Sequence, residues 1–450
     1  MFGRNRNIGL FISYRTGYKN MTTLAVTGGR VLRPDHSIER TDVLIDTDNG
    51  TIKQLGEFDG TADKQLDAAG GLVIPGLVNA HTHVAMTLFR GAADDKPLDA
   101  WLQEDIWPVE AELTGEDVRA GARLGIAEMI RSGTTAIADM YFFMPEVAAV
   151  VEEAGIRARL GHGCITVGKD DEAAHEDFEA GLAFAREYNN TADGRVKTLF
   201  TPHSLTTVDE QFYEEYIPKA HEAGIPVHIH ANETPQEVEP LVDEYGKRPL
   251  EYADDLGVLT DETFLAHGVH VDETERKLLA ERGTSVVHCP ASNMKLASGM
   301  APIQKLHDAG VTVALGTDGA GSNNDLDMFD EMRDAAMIGK LAENDASAVP
   351  ADAVLEMATK AGAETLGFDS GRIEEGANAD LAVLDFDSLH LTPQHDLVSH
   401  LVYAARGSDV RHTVCDGQVL MEDRELTTLA EDDVMAEASE HATELFARAE

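Results

Sequence analysis

Short apolar runs that end in metal-binding residue types constrain this chain more than any other feature. The runs end at His81 and His83, at His230, at His267 and at Asp318. Apolar runs bounded by Gly or Pro are typical of parallel strands covered on both faces, and the amphipathic segments between them predict crossover helices. This alternation predicts an α/β fold, specifically a (β/α)8 TIM-like barrel with its chemistry at the carboxyl ends of the strands.

The first run ends in a His-x-His pair, His81 and His83. Residues two apart on a strand point to the same side, so both imidazoles can face one ion. The structural alternative is a pair of hydrogen-bonded core histidines. Histidines together with an aspartate suit a divalent metal that activates water, and the pattern therefore indicates a metal-dependent hydrolase.

The other candidate ligands are less certain from spacing alone. His228 and His230 can both face the same side of a strand; the pattern His230-x-x-Glu233 favours His230, which leaves His228 as a packed or supporting residue. His267 can instead be a core histidine. Asp318 can instead cap the next helix, but three histidines without it lack an oxygen ligand and a proton acceptor.

Several motifs follow one another in an order that resembles a known family. They are Leu88-Phe89-Arg90-Gly91, Ile106-Trp107-Pro108-Val109-Glu110, Pro202-His203-Ser204, His230-Ala231-Asn232-Glu233-Thr234, Ala266-His267-Gly268-Val269-His270, His288-Cys289-Pro290-Ala291-Ser292-Asn293 and Leu315-Gly316-Thr317-Asp318-Gly319-Ala320. The chain resembles the amidohydrolase superfamily and, more narrowly, the 5-methylthioadenosine/S-adenosylhomocysteine deaminases. The resemblance extends from about Met21 to the C-terminus, and ordered motifs are far more specific than a lone His-x-His.

The resemblance implies a metal site and a hydrolytic deamination. The implied metal ligands are His81, His83, His230 and Asp318. Asp318 is expected to take a proton from the attacking water, and neutral Glu233 to protonate the ring nitrogen. His267 is expected to orient the nucleophile and to stabilise the tetrahedral intermediate. One divalent metal is expected, and zinc is favoured, although such ligands also accept iron or manganese.

The end of the fourth strand decides between one metal and two. A two-metal version of the superfamily carries a carboxylated lysine there. This strand is expected to span 196–203 and to end in His203, whereas Lys197 lies too early. The sequence therefore predicts a mononuclear site, which separates deaminases from dihydropyrimidinase-type amidases.

The resemblance also implies substrate contacts. The expected residues are Trp101, Glu110, His162, His203, Glu233 and Asp318. Glu110 is expected to bind the ribose hydroxyls, with an ordinary exposed acid as its alternative, and Trp101 to border the pocket, with core packing as its alternative. Many relatives carry at the His162 position an arginine that helps to bind the substrate tail. A histidine at this position is shorter than an arginine and can lose its charge, which weakens the prediction that the substrate tail carries a carboxylate.

The predicted substrates are therefore adenosine-type nucleosides: 5'-methylthioadenosine, S-adenosylhomocysteine, 5'-deoxyadenosine or adenosine. The products are the inosine analogue and ammonia. Two alternatives stay open, namely another amidohydrolase of guanine deaminase or chlorohydrolase type, and a non-catalytic scaffold. Retention of the four ligands together with Glu233 and His267 argues against the scaffold.

Charge excludes some partners. The 450 residues include 81 Asp and Glu against 36 Lys and Arg, a formal net charge of -45. Such a charge repels nucleic-acid phosphates and anionic membranes, so neither is an expected partner; the resemblance implies a small nucleoside instead. A lysine-poor, very acidic surface is also what a salt-adapted protein carries, which suggests a halophilic source.

Cysteine content and hydropathy bear on location. The three cysteines, Cys164, Cys289 and Cys415, are far apart and form no Cys-x-x-Cys, which favours a reducing, cytoplasmic setting. No apolar stretch in the sequence is long enough to cross a bilayer. Homo-oligomerisation is the common expectation for a cytoplasmic enzyme.

Strand-like sequence patterns near both ends of the chain predict the domain layout. Residues 21–72 and 368–430 are expected to form one composite β-sandwich around a barrel at 73–367, followed by a C-terminal helix at 431–450. Residues 1–20 are basic, in contrast to the rest of the chain, and are expected to be a disordered extension. Translation can therefore start at Met1 or at Met21.

Overall fold

The computed structural model describes residues 22–450, so the predicted basic extension at 1–20 lies outside the described residues. Seven strands precede the first metal-binding run: Thr23–Thr27 (β1), Arg30–Leu32 (β2), Ile38–Arg40 (β3), Asp42–Asp46 (β4), Thr51–Gly56 (β5), Lys64–Asp67 (β6) and Leu72–Pro75 (β7). Nine follow in the middle of the chain: Leu77–Thr82 (β8), Thr134–Tyr141 (β9), Arg157–Cys164 (β10), Val196–Thr198 (β11), Thr201–Pro202 (β12), His228–Ala231 (β13), Phe264–His267 (β14), Ser285–His288 (β15) and Val313–Leu315 (β16). Four more lie near the end: Leu381–Leu384 (β17), Val410–Cys415 (β18), Gln418–Glu422 (β19) and Glu425–Leu426 (β20).

Helices separate most of the middle strands. The α-helices are Leu98–Ala100 (α1), Trp107–Glu110 (α2), Gly115–Arg131 (α3), Met144–Ala154 (α4), Asp171–Tyr188 (α5), Glu210–Glu222 (α6), Pro235–Tyr245 (α7), Pro249–Asp255 (α8), Glu273–Arg282 (α9), Pro290–Lys295 (α10), Ile303–Asp308 (α11), Met328–Glu343 (α12), Ala351–Met357 (α13), Lys360–Thr365 (α14), Leu397–Tyr403 (α15) and Glu431–Ala449 (α16). Short 3-10 helices span Val84–Phe89, Ala192–Gly194, Leu389–Leu391 and Gly407–Asp409, and a π-helical turn spans Trp101–Ile106.

The middle strands form two parallel sheets. Their orders are β11-β10-β9-β8, with β12 also paired to β10, and β13-β14-β15-β16. Isolated parallel bridges from Phe200 to Val227 and from Ser204 to His230 join the two sheets. All eight residues of β9 are buried, and this two-sided burial explains why the sequence shows continuous apolar runs rather than alternation.

The first and last of these parallel strands also meet. The Asp318 amide donates to the His81 carbonyl at 3.0 Å. A Cβ added at Gly316 would lie 2.7 Å from the His81 nitrogen, a distance that backbone atoms cannot accommodate. Glycine at 316 therefore allows the strand that carries Asp318 to approach the strand that carries His81.

Two further sheets are built from both ends of the described chain. One has the order β5-β4-β1-β6, and the other has the order β20-β19-β18-β17-β7-β2-β3. A separate apolar cluster lies between them and includes Leu24, Val43 and Val383. Arg157 on β10 binds both Asp380 and Asp416 at 2.7 Å, which ties the parallel layer to the C-terminal strands. The result is a mixed α/β fold.

The last helix packs back onto the parallel layer. Its His441 ring lies 2.9 Å from Asp117, which also closes the capping box of α3 with Thr114, and Phe446 packs against Phe89. Helix α3 precedes β9, so the C-terminal helix supports the region beside the first histidine pair. No helix among residues 22–450 has the length and apolar character that crossing a membrane requires.

Candidate metal centre and active site

Three histidines converge at the carboxyl ends of two strands. His81 and His83 lie at the end of β8, and His230 lies on β13. One ring nitrogen from each lies within 4.8 Å of the others. His83 Nε2 and His230 Nε2 are 3.3 Å apart.

Hydrogen bonds at the far side of two rings fix which nitrogen faces inward. His83 Nδ1 lies 2.5 Å from the Met140 carbonyl, and His230 Nδ1 lies 2.9 Å from the His203 carbonyl. A carbonyl oxygen only accepts, so each Nδ1 carries the proton. In the neutral ring, Nε2 then points its lone pair toward the centre, as metal-binding histidines require.

Asp318 completes this centre. Its Oδ1 lies 3.2 Å from His83 Nε2 and 3.5 Å from His81 Nε2. Its Oδ2 accepts hydrogen bonds from the hydroxyls of Ser292 at 2.7 Å and Ser322 at 2.8 Å. The two hydroxyls fix the rotation of the carboxylate and leave Oδ1 facing the histidines.

A cation fits the point on which these atoms converge. His81 Nε2 is buried and has no well-directed hydrogen bond within the described structure. Burial lowers the pKa of His83, but the hydrogen bond to Asp318 and the charge of Asp318 outweigh burial and raise that pKa to about 9. Lone pairs and a carboxylate that face one point need positive charge there, and a divalent metal satisfies this requirement.

Glu233 lies beside the centre as a buried carboxyl group. Ser298 Oγ donates to Glu233 Oε1 at 3.1 Å, and the Glu233 amide donates to Glu237 Oε2 at 2.8 Å. Burial, with the nearby negative charge of Asp318, raises the pKa of Glu233 to about 8. Glu233 is therefore neutral at pH 7 and has a proton to donate.

His267 lies between Glu233 and the end of β15. Its Nε2 is 3.5 Å from Glu233 Oε2, and its Nδ1 is 3.1 Å from Asn293 Oδ1. The side chain is buried, and burial lowers its pKa. A neutral His267 with the proton on Nδ1 offers an Nε2 lone pair on the side of the centre.

Three of these positions have unusual backbone conformations. Asn232, His267 and Asp318 have φ values of 57°, 74° and 62°. Left-handed φ values cost energy for residues other than glycine and cluster at functional sites. Each of the three lies at or just after the end of a parallel strand. The side chains of His267 and Asp318 lie at the centre, whereas the Asn232 amide donates to Glu275.

A cavity of about 1070 Å³ opens beside these residues. Trp101, Glu110 and His203 line it, together with Asp318, Glu233 and His267. Tyr141 donates its hydroxyl to Glu110 Oε1 at 2.6 Å, and burial raises the pKa of Glu110. His203 Nδ1 lies 2.9 Å from Thr207 Oγ1, and burial lowers the pKa of His203 to about 3.

His162 occupies a different place from the other expected substrate residues. Its Nε2 lies 2.7 Å from Asp177 Oδ1, and Lys169 Nζ lies 2.6 Å from Asp177 Oδ2. The described cavity wall includes Gly163 and Lys169 but not the His162 side chain. The ring thus supports the wall through Asp177 and does not itself form it.

Several supporting residues were not identified from the sequence. They are Ser292, Ser322, Ser298 and Glu237. Ser292 lies inside the motif that begins at His288, and Glu237 follows Glu233 by four residues. Local spacing is the only sequence signal for these two residues. The hydroxyl contacts on Asp318 and Glu233 join distant parts of the chain, which a single sequence does not reveal.

Comparisons with known proteins agree with this geometry. The amidohydrolase family model matches residues 72–420. A protein of Haloarcula marismortui named 5-methylthioadenosine/S-adenosylhomocysteine deaminase is 66% identical over 95% of this chain and 100% of its own length. A 5'-deoxyadenosine deaminase of Methanosarcina mazei is 46% identical over 91% of this chain and 95% of its own length.

A solved structure gives the same result. An adenosine deaminase from Xanthomonas campestris with bound zinc superposes with a TM-score of 0.89 at 38% identity, covering 94% of this chain and 98% of that one. With the His81, His83 and His230 group, this neighbour indicates a divalent metal at the centre. The resemblance inferred from ordered motifs is confirmed: the chain belongs to the amidohydrolase family.

Proposed function

We propose that this protein catalyses the hydrolytic deamination of adenosine-type nucleosides, with 5'-methylthioadenosine and 5'-deoxyadenosine as its preferred substrates. The observation that carries the proposal is the placement of a buried Glu233 beside three inward-facing histidines and Asp318. Adding water to an aminopurine requires a proton acceptor for the water and a proton donor for the ring. Asp318 and Glu233 supply these two functions within one cavity.

His81, His83, His230 and Asp318 would hold one divalent metal, and zinc is the metal proposed. Bound there, zinc lowers the pKa of water to about 7. Histidine and carboxylate ligands suit zinc. A single ion is proposed because His203 lies at the end of the fourth strand, where its ring packs at a tilt against His230 with centroids 4.6 Å apart.

The chain's own residues then carry the protons. Asp318 Oδ1 accepts a proton from the water that attacks the carbon bearing the amino group. Glu233 gives its proton to the adjacent ring nitrogen as the new C–O bond forms. His267, held by Asn293, orients the water and stabilises the tetrahedral intermediate. The amino group takes the proton held by Asp318 and leaves as ammonia when the C–N bond breaks. The new hydroxyl returns a proton to Glu233, and the keto product remains.

The rest of the cavity would bind the nucleoside. Glu110, held by the Tyr141 hydroxyl, is proposed to accept hydrogen bonds from the ribose hydroxyls. Trp101 and His203 would enclose the nucleoside, while Glu233 and Asp318 contact the ring. Burial of Glu110 strengthens such bonds, because a carboxylate without partners in a buried position is costly.

Charge on the cavity wall favours an uncharged 5' substituent. Eight Asp or Glu residues line the cavity, and Lys169 is the one Lys or Arg among the described lining residues. Its ammonium group is already paired with Asp177, as is the His162 ring. A substrate carboxylate would therefore find no unpaired Lys or Arg among the described lining residues, and we place S-adenosylhomocysteine below methylthioadenosine and deoxyadenosine in kcat/KM.

A substrate panel tests the proposal. Zinc-loaded protein is mixed with methylthioadenosine, 5'-deoxyadenosine, adenosine, S-adenosylhomocysteine, guanine and a chlorinated triazine, and ammonia or chloride release is measured beside the adenine absorbance. We expect ammonia and a falling adenine band with the first three. Activity on guanine or the triazine alone would refute the substrate class. No turnover of any compound, with zinc absent, would favour the scaffold alternative.

We also propose the larger organisation. The parallel strands would close into one (β/α)8 barrel over residues 73–367, with 21–72 and 368–430 as a composite β-sandwich and 431–450 as a terminal helix. The bridge from Phe200 to Val227 and the bond from Asp318 to His81 support closure. We also propose that the enzyme is cytoplasmic and homo-oligomeric. All three cysteines are buried and free, as is typical of a protein in a reducing compartment. Sedimentation measurements test the oligomeric state.

A further inference from the structure

We propose that His228 is a positioning residue that fixes the tautomer of His81 and so directs His81 Nε2 to the metal. The proposal rests on the metal site of the proposed function, but not on the identity of the substrate. No step of the reaction described above uses His228. It lies on β13, two residues before His230, and its side chain is fully buried.

The hydrogen bonds form a relay with one direction. His228 Nδ1 lies 2.9 Å from the Phe264 carbonyl oxygen, which can only accept, so Nδ1 carries the proton. In a neutral His228, Nε2 is then an acceptor. His81 Nδ1 lies 2.8 Å from that Nε2 and must donate to it. His81 Nε2 is left with its lone pair, as a metal ligand requires.

The surroundings keep the relay in place. His228 and Phe264 are direct partners in the parallel pairing of β13 with β14, so strand register positions the accepting carbonyl. The Phe264 ring stacks on the His228 ring with centroids 4.2 Å apart. Both His81 and His228 are 0% exposed, so bulk water does not compete for the His81 Nδ1 proton.

His81 differs in this respect from the other two histidine ligands. His83 and His230 donate to the backbone carbonyls of Met140 and His203, and no substitution removes a backbone carbonyl. His81 alone of the three depends on a side chain for its orientation. Replacing His228 therefore changes the orientation of one ligand without touching any ligand atom.

Matched substitutions test the relay by zinc affinity. His228→Leu removes the acceptor, whereas His228→Gln keeps an acceptor oxygen for His81 and an amide donor for Phe264. Loss of a group that supports a ligand typically weakens metal binding about 10- to 100-fold. We expect His228→Leu to weaken zinc binding by that factor in a chelator competition, and His228→Gln to retain most of the affinity. The visible spectrum of the cobalt-substituted protein should change in His228→Leu only.

His288→Leu is the matched control. His288 is also a fully buried strand histidine, but neither of its ring nitrogens has a hydrogen-bond partner among residues 22–450. We expect its replacement to leave zinc affinity unchanged. Unchanged zinc affinity in His228→Leu, or equal losses in His228→Leu and His228→Gln, would overturn the proposal.

A measurement on the unmodified protein covers the case in which His228→Leu does not fold. Nitrogen-15 spectra of histidine-labelled, zinc-loaded protein should show His81 and His228 both protonated at Nδ1. Spectra in which neither ring carries a proton on Nδ1 would refute the relay. Weaker zinc binding in His228→Leu together with no deaminase activity in the parent protein would support the relay while refuting the proposed function.

Discussion

Ser298 donates its hydroxyl to Glu233 Oε1 at 3.1 Å, and both side chains are buried. A donor at Oε1 makes that oxygen the acceptor of the neutral carboxyl group and assigns the acidic proton to Oε2. Oε2 lies 3.5 Å from His267 Nε2, on the side of the metal centre. If Glu233 is the proton donor, as proposed, Ser298 selects which of its oxygens carries the proton.

The first prediction concerns Glu233→Gln. The amide preserves size and can accept from Ser298, but it has no acidic proton to give. We expect kcat to fall by about 10²- to 10⁴-fold, the usual contribution of a general acid, with zinc content unchanged by metal analysis. Glu239→Gln, on the exposed side of the same loop and helix α7, is the control and should retain full activity. A fully active Glu233→Gln would refute the proton-donor function.

The second prediction concerns pH. Burial raises the pKa of Glu233 to about 8, and only the protonated form is a donor. The donor is therefore present below pH 8 and is lost as the pH rises through that value, so kcat should fall on the alkaline side with a one-proton slope. Glu237, whose pKa burial raises to about 7, supplies the control: Glu237→Gln should retain the alkaline limb. A rate that is flat to pH 10 would contradict the assignment.

The third prediction concerns the two hydroxyls on Asp318. Ser292 and Ser322 both donate to Oδ2 and so prevent the carboxylate from rotating. We expect Ser292→Ala and Ser322→Ala each to weaken zinc binding or lower kcat by about 10-fold, and the double variant to lose more than either alone. Chelator competition and initial rates measure the two effects. A double variant that matches the parent in both would show that the hydroxyls do not position Asp318.

The fourth prediction concerns Glu110. If its carboxylate binds the ribose hydroxyls, Glu110→Gln removes charge-assisted hydrogen bonds that are each worth about 1.5–3 kcal/mol. We expect kcat/KM for methylthioadenosine to fall by about 10- to 100-fold, because 1.4 kcal/mol corresponds to tenfold. A 2',3'-dideoxy analogue is the control substrate, and its kcat/KM should be the same in both proteins. Equal losses on both substrates would indicate a structural function for Glu110.

The fifth prediction concerns salt. The formal net charge of -45 destabilises the compact state through self-repulsion, and salt screens that repulsion. We expect Tm to rise between low and molar KCl, as measured by circular dichroism. Sucrose at matched water activity separates charge screening from general exclusion effects. A Tm that does not increase with KCl would contradict adaptation to salt.

The sequence predicted the features that local pattern encodes. A turn, an apolar run and a terminal His-x-His identified β8 and its two histidines, and ordered motifs identified the family. Helical spacing runs through residues 350–366, but the structure divides this segment into two helices, α13 and α14. Thr359 lies between them with φ −130° and ψ −94°, and its hydroxyl donates to the Leu355 carbonyl at 2.6 Å, so a local side-chain bond competes with the helix.

Other features of the site depend on long-range geometry that residue types do not encode. The orientation of His83 depends on the carbonyl of Met140, and any residue at position 140 has a carbonyl. The His162 position indicated a cation near the substrate tail, whereas the structure directs that ring to Asp177. Side-chain direction on β10 is set by packing against α5, which a single sequence does not specify.

The close approach at Gly316 places the contact between the first and last parallel strands beside the proposed metal centre. Zinc held between the β8 histidines and Asp318 would link the first parallel strand to the segment that follows the last one. Removing the ion should therefore lower the stability of the parallel strands as well as abolish catalytic activity. An added methyl group at position 316 should reproduce that loss of stability with the ion still present.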